Sequence, residues 1–161
     1  MKPALDNQNQ RLQDQRLPRV QIAAMPWRGA AKIEILLVSS RETRRWVLPK
    51  GWPMKGKSMH EAAACEAMEE AGVEGAIATS SGGFYHYKKR MKDGATERLR
   101  VDVFALWVSR ELKSWPEKDE RTRRWFSIEE AAAAVEEPEL QALIRAVAAS
   151  ILAGIKAAQL A

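Results

Sequence analysis

An α/β fold is what this sequence predicts, and three observations predict it. Runs rich in β-branched and aromatic residues, IEILLVS at 33–39 and LRVDVFALWV at 99–108, read as strands. The stretch from Met59 to Ala71 holds five alanines and neither Pro nor Gly, so it reads as a helix. A second apolar stripe, Leu140, Leu143, Ile144, Val147 and Ile151, repeats at helical spacing near the end of the chain. Strands and helices with apolar faces bury them against one another in packed layers.

The elements follow in order. Arg19 to Trp27 starts the first strand, in which Pro26 predicts an edge position or a bulge. Gly29 and Ala30 turn the chain into Ile33–Ser39, an almost continuous apolar run suited to the sheet centre and to an antiparallel hairpin with its predecessor. The charged loop SRETRR carries Arg41, Arg44 and Arg45, which are either a solvated turn or secondary phosphate contacts. Trp46–Leu48 is a short strand leading into a loop that Trp52 either anchors or uses to stack on a base.

Ser58 caps the next helix, with Glu61 completing a capping box. Ala64, Cys65, Met68 and Ala71 are expected to face the sheet, His60 to be exposed, and Gly72 to stop the helix. Ala76–Gly82 is a mild strand. FYHYKKRMKDG then forms a hairpin arm turning at Asp93-Gly94, with its return from Glu97 to Trp107. Ser109–Arg124 is a charged connection. Trp125–Ser127 is a short strand, a helix starts at Ile128, Pro138 interrupts it, and Glu139–Leu160 is the terminal helix.

At 161 residues the chain is long enough for one core and short for two domains. The expected organisation is a flexible leader over 1–17 and a single domain over 18–161. Hydrophobic residues at 46% and charged residues at 29% are ordinary for a soluble globular protein. A formal charge of +5 favours anionic partners without choosing among nucleic acid, lipid and polyphosphate. A single cysteine excludes an internal disulfide and a cysteine metal cluster. No membrane-spanning run is expected, and MKPALDNQNQRLQDQR lacks the apolar centre of a signal peptide, so the expected location is cytoplasmic.

The chemistry concentrates in Leu48–Val73. Glu66, Glu69 and Glu70 are three and four residues apart, which places them on one helical face. Glutamates so spaced are most often a solvated face. Crowded together, they repel unless a cation sits among them, and oxygen-only ligation favours Mg²⁺ or Mn²⁺. Lys50, Lys55 and Lys57 precede the helix, with Gly51 and Gly56 allowing the loop to turn. Cations beside a carboxylate cluster suit a polyphosphate bridged by divalent ions. Arg98 and Arg100, with Lys88, Lys89 and Arg90, form a basic stripe on the hairpin that is either a substrate grip or a solvated face.

This segment resembles the signature box of the Nudix hydrolases: Gly, five residues, Glu, seven residues, Arg-Glu, an apolar residue, any residue, Glu-Glu, any residue, Gly, an apolar residue. The first glycine is Gly51, and the second half is Glu66 to Val73. Lys57 and Cys65 stand where the pattern has its first Glu and its Arg. The resemblance implies a Nudix-type α/β/α sandwich with a mixed β-sheet. It also implies metal-dependent hydrolysis of a diphosphate linkage, with Mg²⁺ or Mn²⁺ held by Glu66, Glu69 and Glu70. Lys50, Lys55 and Lys57 would stabilise developing charge, and the general base would be Glu69 or a carboxylate of the 117–120 loop, with Glu120 chosen there.

The LPKG opening and the basic surroundings look most like the branch acting on diphosphoinositol polyphosphates and dinucleoside polyphosphates. ADP-ribose, nucleotide sugars and nucleoside triphosphates stay open as substrates. The rival from another class is a non-catalytic module that binds a phosphate or RNA. The expected partner is a small-molecule polyphosphate; no membrane is expected, and no nucleic-acid reader motif is present.

Overall fold

The apolar run after Arg19 becomes the strand around which the sheet is built. In the computed structural model, which describes residues 17–160, the order is β1 (Arg19–Arg28), β2 (Glu34–Ser39), β3 (Trp46–Val47), β4 (Lys50–Gly51), helix α1 (Met59–Glu66), β5 (Val73–Ile77), β6 (Gly83–Arg90), β7 (Thr96–Glu111), β8 (Arg123–Ser127), α2 (Ile128–Ala134) and α3 (Pro138–Leu160). Helix α1 continues through one wide π turn, Ala67–Ala71. The leader expected over 1–17 falls, apart from Leu17, outside the described residues.

Pro26 is not at an edge. Strand β1 pairs parallel with β7 over nine residues, from Arg19↔Leu99 to Trp27↔Trp107. Its other side is shared, Ile22 and Ala23 pairing with β4 and Trp27 and Arg28 with β2. The Ala24 N–H donates to Pro49 O on that shared side. Successive backbone N–H groups alternate in direction along a strand, so the missing donor of Pro26 points the same way, into the gap between β4 and β2. A proline is tolerated at the centre because no ladder bond is due there.

The sheet is mixed. The path β3-β2-β1-β7-β5 has β4 joined to β1, β6 to β7 and β8 to β2, and only β1–β7 is parallel. Alternation divides each strand between two cores. Ile22, Ala24, Leu36, Val38, Phe104 and Leu106 meet α1, while Ala23, Met25, Ile35, Leu37, Val101 and Val103 meet α2 and α3. This is the α/β/α sandwich. Each large aliphatic side chain so buried contributes about 1.5–3 kcal/mol.

Four elements differ from expectation. Strand β5 starts at Val73 rather than Ala76, because Gly72 at φ +63 reverses the chain at once and Val73 pairs with Glu111. Strand β7 runs on to Glu111. The residues of α1 buried against the sheet are Ala62, Ala63, Ala67 and Ala71. Ala64, Cys65 and Met68 are half-buried at its flank, as is His60. Alanine lets the helix approach closely, and the π turn changes which side chains share a face. Helix α3, unlike the expectation for the chain, is long and apolar enough by length and composition to cross a membrane, an 18-residue stretch of it having a mean hydropathy of 1.5. Its alanines contribute to that average, and Leu140, Ile144, Val147 and Ala148 lie buried in the domain.

Candidate active site

The box helix is fixed at both ends. At its start the Ser58 hydroxyl accepts from the Glu61 N–H at 3.3 Å, satisfying one of the free donors of the first turn. At its end the carbonyls left over by helix geometry are satisfied by the connection between β7 and β8 together with the first residue of β8. The Glu117 N–H donates to Glu69 O at 3.0 Å and the Leu112 N–H to Gly72 O at 2.7 Å. Trp115 Nε1 donates to Glu70 O at 3.2 Å, and Arg123 Nη1 to Ala71 O and Gly72 O at 3.0 and 3.1 Å. Arg123 also stacks on Trp115, 4.0 Å from the ring centre. The charged connection read from the sequence is therefore a clamp on the helix C-terminus.

Between the clamp, the helix, β4 and the loop that follows β4 lies a cavity of about 670 Å³. Four carboxylates line it, Glu66, Glu69, Glu70 and Glu117, and four cations face them, Arg41, Lys50, Lys89 and Arg121. Gly51 leaves room for Glu66: a Cβ there would lie 2.2 Å from Glu66 Oε1 and the carboxylate would have to move. Gly56, by contrast, turns the loop at φ +78 with open space around it.

Burial dominates the electrostatics. Glu66 is pushed up to about 8 by desolvation first, then by the neighbouring charges of Glu70, Glu69 and Glu117. Glu70 rises to about 7, again by desolvation, although Arg121 and Lys50 oppose the rise. Desolvation lowers Lys50 to about 8; its ammonium lies 5.0 Å from the centre of the Tyr87 ring, while its backbone N–H donates to Glu70 Oε2 at 3.3 Å. Beneath it the Tyr87 hydroxyl donates to Gln21 Oε1 at 2.6 Å.

The sequence candidates divide. Glu66, Glu69, Glu70 and Lys50 come together in the cavity. Lys55 and Lys57 are exposed and do not line it. Arg98 and Arg100 do not reach it either. Cross-strand partners share a face, and the register pairs Lys88 with Arg98 and His86 with Arg100. Period-two alternation sends Lys89 to the opposite face, into the cavity. Arg100 is taken up by Asp102 at 2.9 Å and by the Phe84 ring at 4.0 Å.

Glu120 is half-exposed outside the cavity lining, 3.7 Å from Arg41, and the carboxylate that the 117–120 loop delivers to the cavity is Glu117. Trp52 lines the cavity with its ring under Arg19 at 4.5 Å and Lys89 at 5.5 Å. Arg45 is committed to Glu137 at 2.6 Å.

Arg121 was missed. Its side chain is only 9% exposed, yet nothing in DERTRR distinguishes it from its neighbours. Gln21 did leave a signal, a lone amide in an apolar strand, buried to 2% exposure.

A mixed sheet between helical layers, with a helix presenting carboxylates to a cation-lined cavity, is a Nudix-type sandwich. The NUDIX domain family matches residues 17–147, and the chain belongs to that family. Nudix hydrolase 16, mitochondrial, of Arabidopsis thaliana is 37% identical over 108 residues, which is 66% of this chain and 60% of that protein. Diphosphoinositol polyphosphate phosphohydrolase 3-alpha of Mus musculus is 35% identical over 112 residues, 68% of this chain and 64% of that protein.

The matched segments thus span less than two thirds of the length of these curated relatives. Among solved structures, an Ap4A hydrolase of C. elegans superimposes with a TM-score of 0.62 at 24% identity, covering 84% of this chain and 98% of that one. A NUDIX hydrolase from Nitrosomonas europaea gives 0.63 at 22%, covering 83% and 90%. At these identities the two structures speak for the fold.

Proposed function

We propose that the chain is a divalent-metal-dependent pyrophosphohydrolase that cleaves a diphosphate linkage in a small, highly phosphorylated molecule. The observation that carries this is one cavity whose lining brings four carboxylates, Glu66, Glu69, Glu70 and Glu117, together with four cations, Arg41, Lys50, Lys89 and Arg121. Among the described residues no three His, Cys, Asp or Glu side chains are gathered closely enough to hold a metal ion as they stand. Glu70 Oε1 lies 3.3 Å from Arg121 Nη2. The donor chemistry nonetheless fits Mg²⁺ or Mn²⁺, being oxygen-only, with burial first and the neighbouring carboxylates second raising Glu66 to about 8. Glu66, Glu69 and Glu70 are the residues that would hold the cation. Bound there, it would neutralise charge on phosphoryl oxygens and lower the pKa of a bound water.

The side chains supply the rest. Lys50, held over Tyr87 at the cavity floor, offers a desolvated positive charge to a phosphoryl oxygen. Lys89 and Arg41 add positive charge to the lining and fit a substrate with more than two phosphates. Glu69 and Glu117 are the two candidates for accepting a proton from the attacking water, Glu117 replacing Glu120. The similarity to a diphosphoinositol polyphosphate phosphohydrolase supports this substrate class.

The test is hydrolysis of inositol pyrophosphates, dinucleoside polyphosphates, ADP-ribose and nucleotide sugars with Mg²⁺ or Mn²⁺, alongside Mn²⁺ titration of wild type and Glu70→Gln. The variant should bind Mn²⁺ at least about 10-fold more weakly. A wild type inert on every substrate, with Mn²⁺ affinity unchanged by the substitution, would leave the binding-module reading.

A further inference from the structure

The cation that faces Glu70 does not come from the helix that carries it. Between Met59 and Ala71 the one basic side chain is His60, at the other end of the helix and 6.4 Å from the Phe104 ring. Arg121 brings the charge from the clamp. Its Nη2 lies 3.3 Å from Glu70 Oε1 and 3.3 Å from Glu117 Oε1, and its Nε lies 3.4 Å from the same Glu117 oxygen. Its Nη1 donates to Ser39 O at 3.2 Å. The backbone beside it is tied to the end of β2 twice: the Ser39 N–H donates to Thr122 O at 2.9 Å, and the Thr122 N–H to Ser39 Oγ at 2.8 Å. The guanidinium is a planar fork with fixed donor directions, so anchoring one prong to a strand carbonyl fixes where the others point.

We infer that Arg121 is a positioning residue: it holds the Glu70 and Glu117 carboxylates in a set relation beside each other in the cavity lining, joining two elements far apart in sequence. This rests on the diphosphate-hydrolase reading above. The chemistry predicts a difference between charge and geometry. Lysine at 121 keeps the positive charge, but a point charge on a flexible stem cannot bridge two carboxylates and a carbonyl at once. Both carboxylates would stay neutralised while their mutual placement relaxed. Misplacement of groups that meet a metal and a substrate costs rate more than it costs substrate binding.

The experiment compares wild type, Arg121→Lys, Arg121→Gln, Glu117→Gln and the Arg121→Gln/Glu117→Gln pair. The readouts are Mn²⁺ binding by electron paramagnetic resonance without substrate, kcat and KM separately, and thermal melting. Arg121→Lys is expected to melt within about 4 °C of wild type and to bind Mn²⁺ about 10-fold more weakly. Its kcat should drop by about 10- to 100-fold with KM nearly constant. The double variant should lose little more than the worse single one, since both substitutions break the same bridge.

Wild-type Mn²⁺ affinity and kcat in Arg121→Lys overturn the inference. So does a raised KM at constant kcat, which makes Arg121 a phosphate contact, and so do additive losses in the double variant. If Arg121→Lys does not fold, the residue is structural and the inference also falls. A wild type that neither binds Mn²⁺ nor hydrolyses any diphosphate overturns the underlying reading and the inference with it.

Discussion

Two segments press on helix α1, the glycine-lysine loop before it and the β7–β8 connection at its end, and they use charge in opposite ways. In the first, Lys55 and Lys57 are exposed and only Lys50 turns inward. In the second, Arg121 and Arg123 are pinned by carbonyls and carboxylates. The loop beside the glutamates in sequence thus contributes one cation to the cavity, while a segment more than 40 residues later closes it. Adjacency along the chain is a poor guide to which charges meet, because a solvated lysine gains little by leaving water. A buried arginine remains buried only where every prong has an acceptor.

The comparison breaks most visibly at the glycines, one in each contact. Gly51→Ala would set a Cβ 2.2 Å from the Glu66 carboxylate. Activity should fall by about 100-fold or more, the scale at which a misplacement of about 1 Å tells. A near-wild-type rate would mean that Glu66 is not needed where it stands. Gly72→Ala is the counterpart at the clamp: its Cβ would lie 2.4 Å from the Trp115 ring, at φ +63. The expected cost is about 1–3 kcal/mol, read as a melting temperature lower by about 2–10 °C. The loss should fall on stability more than on KM.

A smaller effect separates the two faces of the β6–β7 hairpin. Lys89→Gln removes a cavity cation and should raise KM for a highly phosphorylated substrate about 3- to 10-fold, less so at high salt. Neutralising Arg98 and Arg100 together should leave that KM within about two-fold, since neither side chain lines the cavity. Equal effects from both faces would remove the distinction.

The smallest effect is on stability against pH, measured on protein stripped of divalent ions. Glu66 and Glu70 have folded values raised to about 8 and about 7. Between the unfolded carboxylate value near 4.5 and these, the folded state binds more protons than the unfolded one, so stability declines as pH rises. Melting temperature should therefore be higher at pH 5 than at pH 7, and Glu66→Gln should flatten the slope. Saturating Mn²⁺ should flatten it too, by favouring the ionised carboxylates. An unchanged slope in Glu66→Gln would assign the pH dependence to other groups.

Much of this molecule was legible in its sequence because local rules govern it. The run 33–39 had to be a buried strand, the alanines from Met59 a helix, Gly72 its end and Ser58 its cap, since each depends on neighbours within a turn. The three glutamates were legible as a cluster for the same reason. The tertiary structure decided what depends on partners distant along the chain. Pro26 is central because two strands divide one side of β1 between them. Lys89 rather than Arg98 and Arg100 faces the cavity because hairpin register and period-two alternation together assign faces. Glu117 displaced Glu120, and Arg121 entered the site, because the helix C-terminus needed donors for its last carbonyls and the β7–β8 connection wraps it to supply them. No spacing in DERTRR encodes that demand; it arises only when the sheet brings β8 beside β2 and lays the connection across the end of α1.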